Sequence, residues 1–242
     1  MNMRYARGEA YSYELLWDVL RIKEIHAAIW DLASKPGGVA RDTGLALDIG
    51  CGNSGIAAHW PGRNIVGLEI SSAAAAQYTA KFPGIECVVS PIESFRDPGQ
   101  RRFNTITAVE SIEHWADVGS GLESVRRHLA PDGLFVLSTP NRDSLHARIG
   151  RKLDLDVPYC SPDHTHEFGH DELLLLLKNH GFHPVASRGV FLMPWWALEG
   201  EFGTRIRGMT DNDPELLGWL LDAGRDLPQL AFIQCHALRC GN

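Results

Sequence analysis

Leu45-Ala46-Leu47-Asp48-Ile49-Gly50-Cys51-Gly52-Asn53-Ser54-Gly55 is an apolar strand pattern that runs into a glycine-rich turn, with an acid placed just before the first glycine. Gly50, Gly52 and Gly55 keep the G-x-G-x-x-G spacing, in which glycines let the backbone turn tightly and approach a ligand closely. Several nucleotide-binding folds share that spacing, so the acid carries the discrimination. A pyrophosphate over the turn would meet the Asp48 carboxylate and be repelled, whereas a ligand with an ammonium or sulfonium group would be attracted. A nicotinamide dehydrogenase is therefore a poorer fit. The next apolar run, Asn64-Ile65-Val66-Gly67-Leu68-Glu69, ends in an acid. It follows the glycines by about the ~20 residues at which a strand-end acid takes ribose hydroxyls in such folds.

Working outward, apolar runs near 45–49, 64–68, 85–89, 104–109 and 133–138 alternate with helical patterns near 53–59, 71–82 and 117–130. This alternation predicts βαβ units and a mostly parallel sheet, with ligands outside the C-terminal ends of its strands. Upstream, Leu15, Leu16, Val19, Leu20, Ile22, Ile25, Ile29 and Leu32 predict an amphipathic helix over 14–34, stopped by Pro36-Gly37-Gly38. Downstream, Asp171 is placed to cap a helix through Leu173–Leu177 that ends near Asn179-His180-Gly181. Strands over His183–Ser187 and Leu230–Leu238 follow. The segment 189–229 between them holds Trp195, Trp196, Phe202 and Trp219. It reads either as a lid or substrate wall or as an extra helical layer with its aromatics in the core.

Asp48, the glycines and Glu69, together with the turn Ala130-Pro131-Asp132-Gly133 ahead of Leu134–Ser138, resemble the class I S-adenosylmethionine-dependent methyltransferases. The resemblance spans roughly residues 40–185. It implies a Rossmann-like α/β fold, a seven-stranded mostly parallel sheet flanked by helices, as one domain over 1–242, with S-adenosylmethionine as cofactor. Asp48, Gly50, Cys51, Gly52 and Asn53 are then expected around the methionine part, where N–H groups at the next helix start would meet its carboxylate. Glu69 is expected on the ribose, with Ile70 against the adenine. Family members commonly place an acid after the third strand to accept from the adenine amino group. Pro91 stands where that acid is expected, which leaves Ile92 and Glu93 as the nearby candidates. Glu110, ending the fourth strand, would border the methionine part.

Glu110-Ser111-Ile112-Glu113-His114 sets two carboxylates and an imidazole at the mouth of this pocket, and Asp163-His164-Thr165-His166-Glu167-Phe168 adds two more imidazoles. In one reading His114, Glu113 and His164 are catalytic: a histidine near neutral pKa takes the proton of a hydroxyl or ammonium nucleophile. The donor is already activated, so alignment of nucleophile, methyl and sulfur matters at least as much. In a second reading the cluster is a mixed N/O site for a divalent ion. The E-x-x-E-H pattern, Ser138-Thr139-Pro140-Asn141 and the later Asp-His pair resemble the metal-dependent small-RNA 3′-terminal 2′-O-methyltransferases. That resemblance implies Glu110, Glu113, His114 and His164 as ligands. His166 and Phe168 depart from it, and similar arrangements occur in bacterial small-molecule methyltransferases, including relatives of the ubiquinone O-methyltransferases. In the plainest reading these groups only anchor a loop and a helix start.

The 242-residue chain is 44% hydrophobic with a net charge of −7, which suits one α/β domain and offers no long-range attraction to phosphate backbones or anionic membranes. Nucleic acid and membrane partners are disfavoured. With no signal pattern and no apolar run of about 18 residues, the protein reads as cytoplasmic. Cys51, Cys87, Cys160, Cys235 and Cys240 are scattered and lack a C-x-x-C pair, so neither a zinc ribbon nor a disulfide framework is expected. The combined expectation is methyl transfer to an oxygen or nitrogen of a small molecule, such as a sugar-containing or aromatic secondary metabolite. The alternatives are metal-dependent RNA 2′-O-methylation and a cofactor-binding regulatory subunit without catalysis.

Overall fold

The computed structural model describes residues 16–34, 44–52, 56, 64–193 and 213–241. In chain order the elements are α1 (Leu16–Ala33), β1 (Ala46–Ile49), β2 (Ile65–Glu69), α2 (Ser72–Lys81), β3 (Glu86–Val89), β4 (Phe103–Val109), α3 (Val118–His128) and β5 (Leu129–Pro140). They are followed by α4 (Leu145–Lys152), α5 (His170–Asn179), β6 (Phe182–Val190), α6 (Pro214–Arg225) and β7 (Ile233–Cys240). All seven strands form one sheet in the order β3-β2-β1-β4-β5-β7-β6. The first five run parallel, and β7 is antiparallel to both neighbours. The expected α/β architecture is therefore present. Its order reverses between β1 and its two neighbours β2 and β4, which opens a crevice beyond the C-terminal end of β1.

Burial explains the strand patterns. Every residue of β1 and β2 is buried because helices cover both faces, as a parallel sheet requires, whereas edge strand β3 is only half buried. One core cluster joins Ile25, Ile29 and Leu32 of α1, Tyr78 of α2 and Leu217 of α6 to the sheet. The other packs Leu122 and Val125 of α3 and Leu173 and Leu177 of α5 against Leu47, Val66, Ile106 and Phe135. Leu47 and Ile49 of β1 point to this second face while Ala46 lies in the first, the period of two expected of a strand.

Three expectations change. The Pro-Gly turn does not precede β5 but lies within it: pairing jumps from Phe103↔Leu129 to Thr105↔Leu134, and Asp132 adopts φ 60° in the resulting bulge. α5 starts at His170, ahead of Asp171, and its N-cap is Gly169, whose N–H donates to Glu172 Oε2 at 3.0 Å. Segment 189–229 contains α6, started by Asp213 and Pro214 and packed into the core through Leu217, Leu220 and Leu221. Trp219 is 63% exposed on it rather than in the core. Trp195, Trp196 and Phe202 lie outside the described residues, as does the helix expected near 53–59 except Ile56. No helix among the described residues is long and apolar enough to cross a membrane.

Candidate active site

The turn after β1 is built by the residues that identify it. Gly50 and Gly52 have φ 67° and 57°, a left-handed conformation that suits glycine. A Cβ on Gly50 would lie 2.6 Å from Ser111 Oγ, so the missing side chain also brings the end of β4 against the turn. Asp48 is 2% exposed; its Oδ1 accepts from Thr107 Oγ1 at 2.9 Å and its Oδ2 from the N–H of Ile56 at 3.2 Å. Burial pushes its carboxyl up to about 6, only partly offset by those two bonds. Glu69 accepts from the N–H of Gly52 at 2.9 Å through Oε2 and from that of Ser71 at 2.8 Å through Oε1. Both acids thus shape the loops themselves, a role the sequence reading missed.

Cys51 packs as expected of a small side chain in the turn, its Sγ 3.7 Å from Cys87 Sγ. Gly67 on β2 makes this possible, because a Cβ there would lie 2.8 Å from the Cys51 sulfur. Ile70 is 53% exposed past the end of β2, an apolar surface beside the crevice. Asn53 lies outside the described residues. Of the two candidates after β3, Ile92 is buried in the second core cluster, and Glu93 Oε1 accepts from the N–H groups of Ala116 and Asp117. Glu93 therefore caps the turn that follows His114 and is engaged there.

Beyond β4 the backbone leaves its strand through Glu110, a non-glycine residue at φ 48°. Glu110 Oε1 accepts from Ser138 Oγ at 2.9 Å, and Oε2 faces the Arg21 guanidinium of α1 at 3.3 Å. A short 3₁₀ turn, Ile112–His114, then presents Glu113 inward. Glu113 is 1% exposed; Oε2 accepts from Thr139 Oγ1 at 2.9 Å, while buried Oε1 has no hydrogen-bond partner among the described residues. Burial, reinforced by the neighbouring Glu110 charge, raises the Glu113 carboxyl well above its ordinary range.

Tertiary bonds bring the distant histidine segment here. Thr165 donates to the Glu113 carbonyl through both N–H and Oγ1 at 2.8 Å. The His114 and His164 rings then meet edge to face, 4.8 Å between centroids. His114 Nδ1 lies 3.2 Å from the Asp163 carbonyl oxygen, and His164 Nδ1 lies 2.6 Å from Glu167 Oε1. Burial and the nearby His164 lower the His114 pKa, favouring a neutral ring able to take a proton.

Glu113, His114 and His164 each offer one ligand atom, all within 4.8 Å of one another. This donor set fits a divalent cation: two imidazoles whose Nδ1 atoms face oxygen acceptors, and a carboxylate with one unpartnered buried oxygen. The other expected ligand, Glu110, is not part of this trio, and its two oxygens face Ser138 and Arg21. His166 turns away to Glu172. Arg21 and Thr139 were not assigned roles from sequence, since their partners Glu110 and Glu113 lie 89 and 26 residues away and leave no local pattern. Glu167, three residues from His164, was also not assigned a role, because outside a helix a spacing of three does not fix which side chains face each other.

A family model described as "Methyltransferase domain" matches residues 22–187. A probable S-adenosylmethionine-dependent methyltransferase of Mycobacterium tuberculosis is 30% identical over 161 residues, 66% of this chain and 51% of that protein. A ubiquinone biosynthesis O-methyltransferase of Bradyrhizobium sp. is 31% identical over 168 residues, 64% of this chain and 66% of that protein. The chain thus spans about half the length of the mycobacterial relative. Among solved structures, an S-adenosylmethionine-dependent methyltransferase from Mesorhizobium loti shares the fold, with TM-score 0.58, 18% identity and coverage of 88% of this chain and 96% of that one.

Proposed function

From the premise that this chain belongs to the class I S-adenosylmethionine-dependent methyltransferases, we propose that it transfers the sulfonium methyl to a hydroxyl oxygen of a small molecule, with an amine nitrogen as the other acceptor. The observation that carries this reading is the Glu113, His114 and His164 cluster, positioned past β4 at the end of the sheet where Ser111 touches the glycine turn. Oxygen is favoured by the likeness to the Bradyrhizobium relative, an O-methyltransferase by name. The net charge of −7 favours a small acceptor over RNA.

In the proposed step the acceptor oxygen forms a bond to the methyl carbon as the carbon–sulfur bond breaks and its electron pair returns to sulfur. His114 or His164 takes the hydroxyl proton, which leaves a neutral ether and a neutral thioether. The buried acids contribute in two ways. Asp48 at the turn favours a cationic donor. Glu113, with its carboxyl raised, supplies a protonated or ionised oxygen according to what occupies the site.

A second reading has a specific observation behind it, Glu113 Oε1, which has no hydrogen-bond partner among the described residues, beside two anchored imidazoles. Glu113, His114 and His164 would hold a divalent ion, which would supply Lewis acidity to a bound hydroxyl. The residues' own work is the same in either case: they orient the acceptor oxygen toward the donor and receive its proton.

The test combines labelled S-adenosylmethionine with a panel of phenols, catechols, sugars, amines and a short RNA, with and without chelator. Calorimetric titration of Mg²⁺ and Mn²⁺ into wild-type and His114→Ala protein, both saturated with S-adenosylhomocysteine, runs beside it. A methylated small molecule formed despite chelator supports metal-free transfer. Chelator-sensitive transfer with metal binding lost in His114→Ala supports the second reading, and methylated RNA end hydroxyls would move the substrate class. Tight S-adenosylhomocysteine binding with no product from any acceptor would overturn catalysis and leave a regulatory cofactor-binding subunit.

A further inference from the structure

Glu167 is buried beside the cluster with no role in the step above. Its Oε1 lies 2.6 Å from His164 Nδ1, and the two side chains are 2% and 8% exposed. The same oxygen accepts from the N–H of Cys160. Both ends of the segment are fixed. Thr165 is stitched to Glu113 and Trp115, while the Phe168 carbonyl accepts from Gln234 Nε2 and from the N–H of Arg142. With backbone and carboxylate both held, the His164 ring has little freedom to turn.

An ionised carboxylate only accepts hydrogen bonds, so a 2.6 Å contact to Nδ1 requires the proton to sit on Nδ1 and leaves the lone pair on Nε2. A free imidazole divides its neutral form between two tautomers. Only the Nδ1–H form offers Nε2 as an acceptor. We propose that Glu167 is a positioning residue for methyl transfer, holding His164 as the Nδ1–H tautomer so that Nε2 faces the acceptor hydroxyl. This deepens the proposed function and rests on it. The requirement is unchanged where the site takes a cation, because a ligating nitrogen also needs a free lone pair. Glu167 touches neither reacting atom and acts through His164.

The rival role is structural: Glu167 does no more than close the loop by accepting from Cys160. Long-range nitrogen–proton NMR on nitrogen-15-labelled full-length protein with S-adenosylhomocysteine, at about pH 8, separates the two. His164→Gln assigns the signal. The expected wild-type spectrum has protonated Nδ1 and unprotonated Nε2 on His164. Glu167→Ala should average the two nitrogens, whereas Glu167→Gln, which keeps an acceptor oxygen, should retain the wild-type pattern. Once an acceptor is known, Glu167→Ala should lower kcat about 10–100-fold with little change in the KM for S-adenosylmethionine, and Glu167→Gln should recover part of the loss. A wild-type His164 protonated on Nε2 overturns the proposal without any variant having to fold. So does an unchanged tautomer in folded Glu167→Ala. Failure to find methyl transfer would count against the proposed function and leave the tautomer result standing.

Discussion

Replacing Asp48 by Asn should make the empty protein more stable near neutral pH while weakening its hold on a cationic cofactor. Asp48 is buried at the end of β1, and desolvation, with a further push from Glu69, moves its carboxyl from 3.8 to about 6. A carboxyl whose pKa is higher in the fold than in the unfolded chain binds its proton more tightly in the fold. Its contribution to stability is therefore greatest below about pH 4, declines as pH rises through the window to about 6, and is flat above. Roughly two pH units at ~1.4 kcal/mol each make the decline about 3 kcal/mol. Asn can keep both contacts: its carbonyl oxygen can accept from the Ile56 N–H, and its amide can donate to Thr107 Oγ1, which turns its proton toward the Leu47 carbonyl 3.3 Å away. Urea unfolding of wild-type and Asp48→Asn protein across this range is the assay, since other titrating groups cancel in the difference. The variant should gain about 3 kcal/mol on wild type between about pH 4 and pH 7. Calorimetry should show weaker binding of S-adenosylmethionine by the variant, with wild-type affinity improving as Asp48 ionises through about 6. Parallel stability curves would refute the buried-acid reasoning, and unchanged cofactor affinity would reject this pocket.

Gly67→Ala should cost about 1–3 kcal/mol in urea unfolding, because the new Cβ would lie 2.8 Å from Cys51 Sγ and 3.1 Å from the Tyr78 ring; an unaltered midpoint would show that the sulfur pair yields freely. His114→Ala should lower turnover more than S-adenosylhomocysteine affinity, and equal turnover in both proteins would make His114 structural. Glu93→Ala should cost about 1 kcal/mol by releasing the N–H groups of Ala116 and Asp117, with cofactor affinity nearly unchanged; a large loss of affinity would restore Glu93 to the adenine.

Local chemistry decides what can be read along the chain. β1, β2 and the turn between Asp48 and Gly52 were legible because apolar runs and left-handed glycines are properties of short segments. The same reasoning misplaced the start of α5, where Glu172 reaches back to Gly169 and so extends the helix ahead of Asp171. It also took residues 130–133 for a turn ahead of the strand, whereas pairing with β4 on both sides absorbs the turn as a bulge. Family resemblance, carried by short motifs, gathered Glu110, Glu113, His114 and His164 as candidates. Those motifs could not say which oxygens and nitrogens were already taken.

The sequence by itself determined the α/β class and the glycine turn with its flanking acids, since each follows from neighbours in the chain. Only the tertiary structure decided that Arg21 and Ser138 face the Glu110 oxygens, that Thr165 carries His164 to His114, and that Glu167 meets the His164 ring. Hydrogen-bond partners of a buried polar group are fixed by whichever chain segments the packed sheet brings within about 3 Å, and that distance has no counterpart in the spacing of residues along the chain.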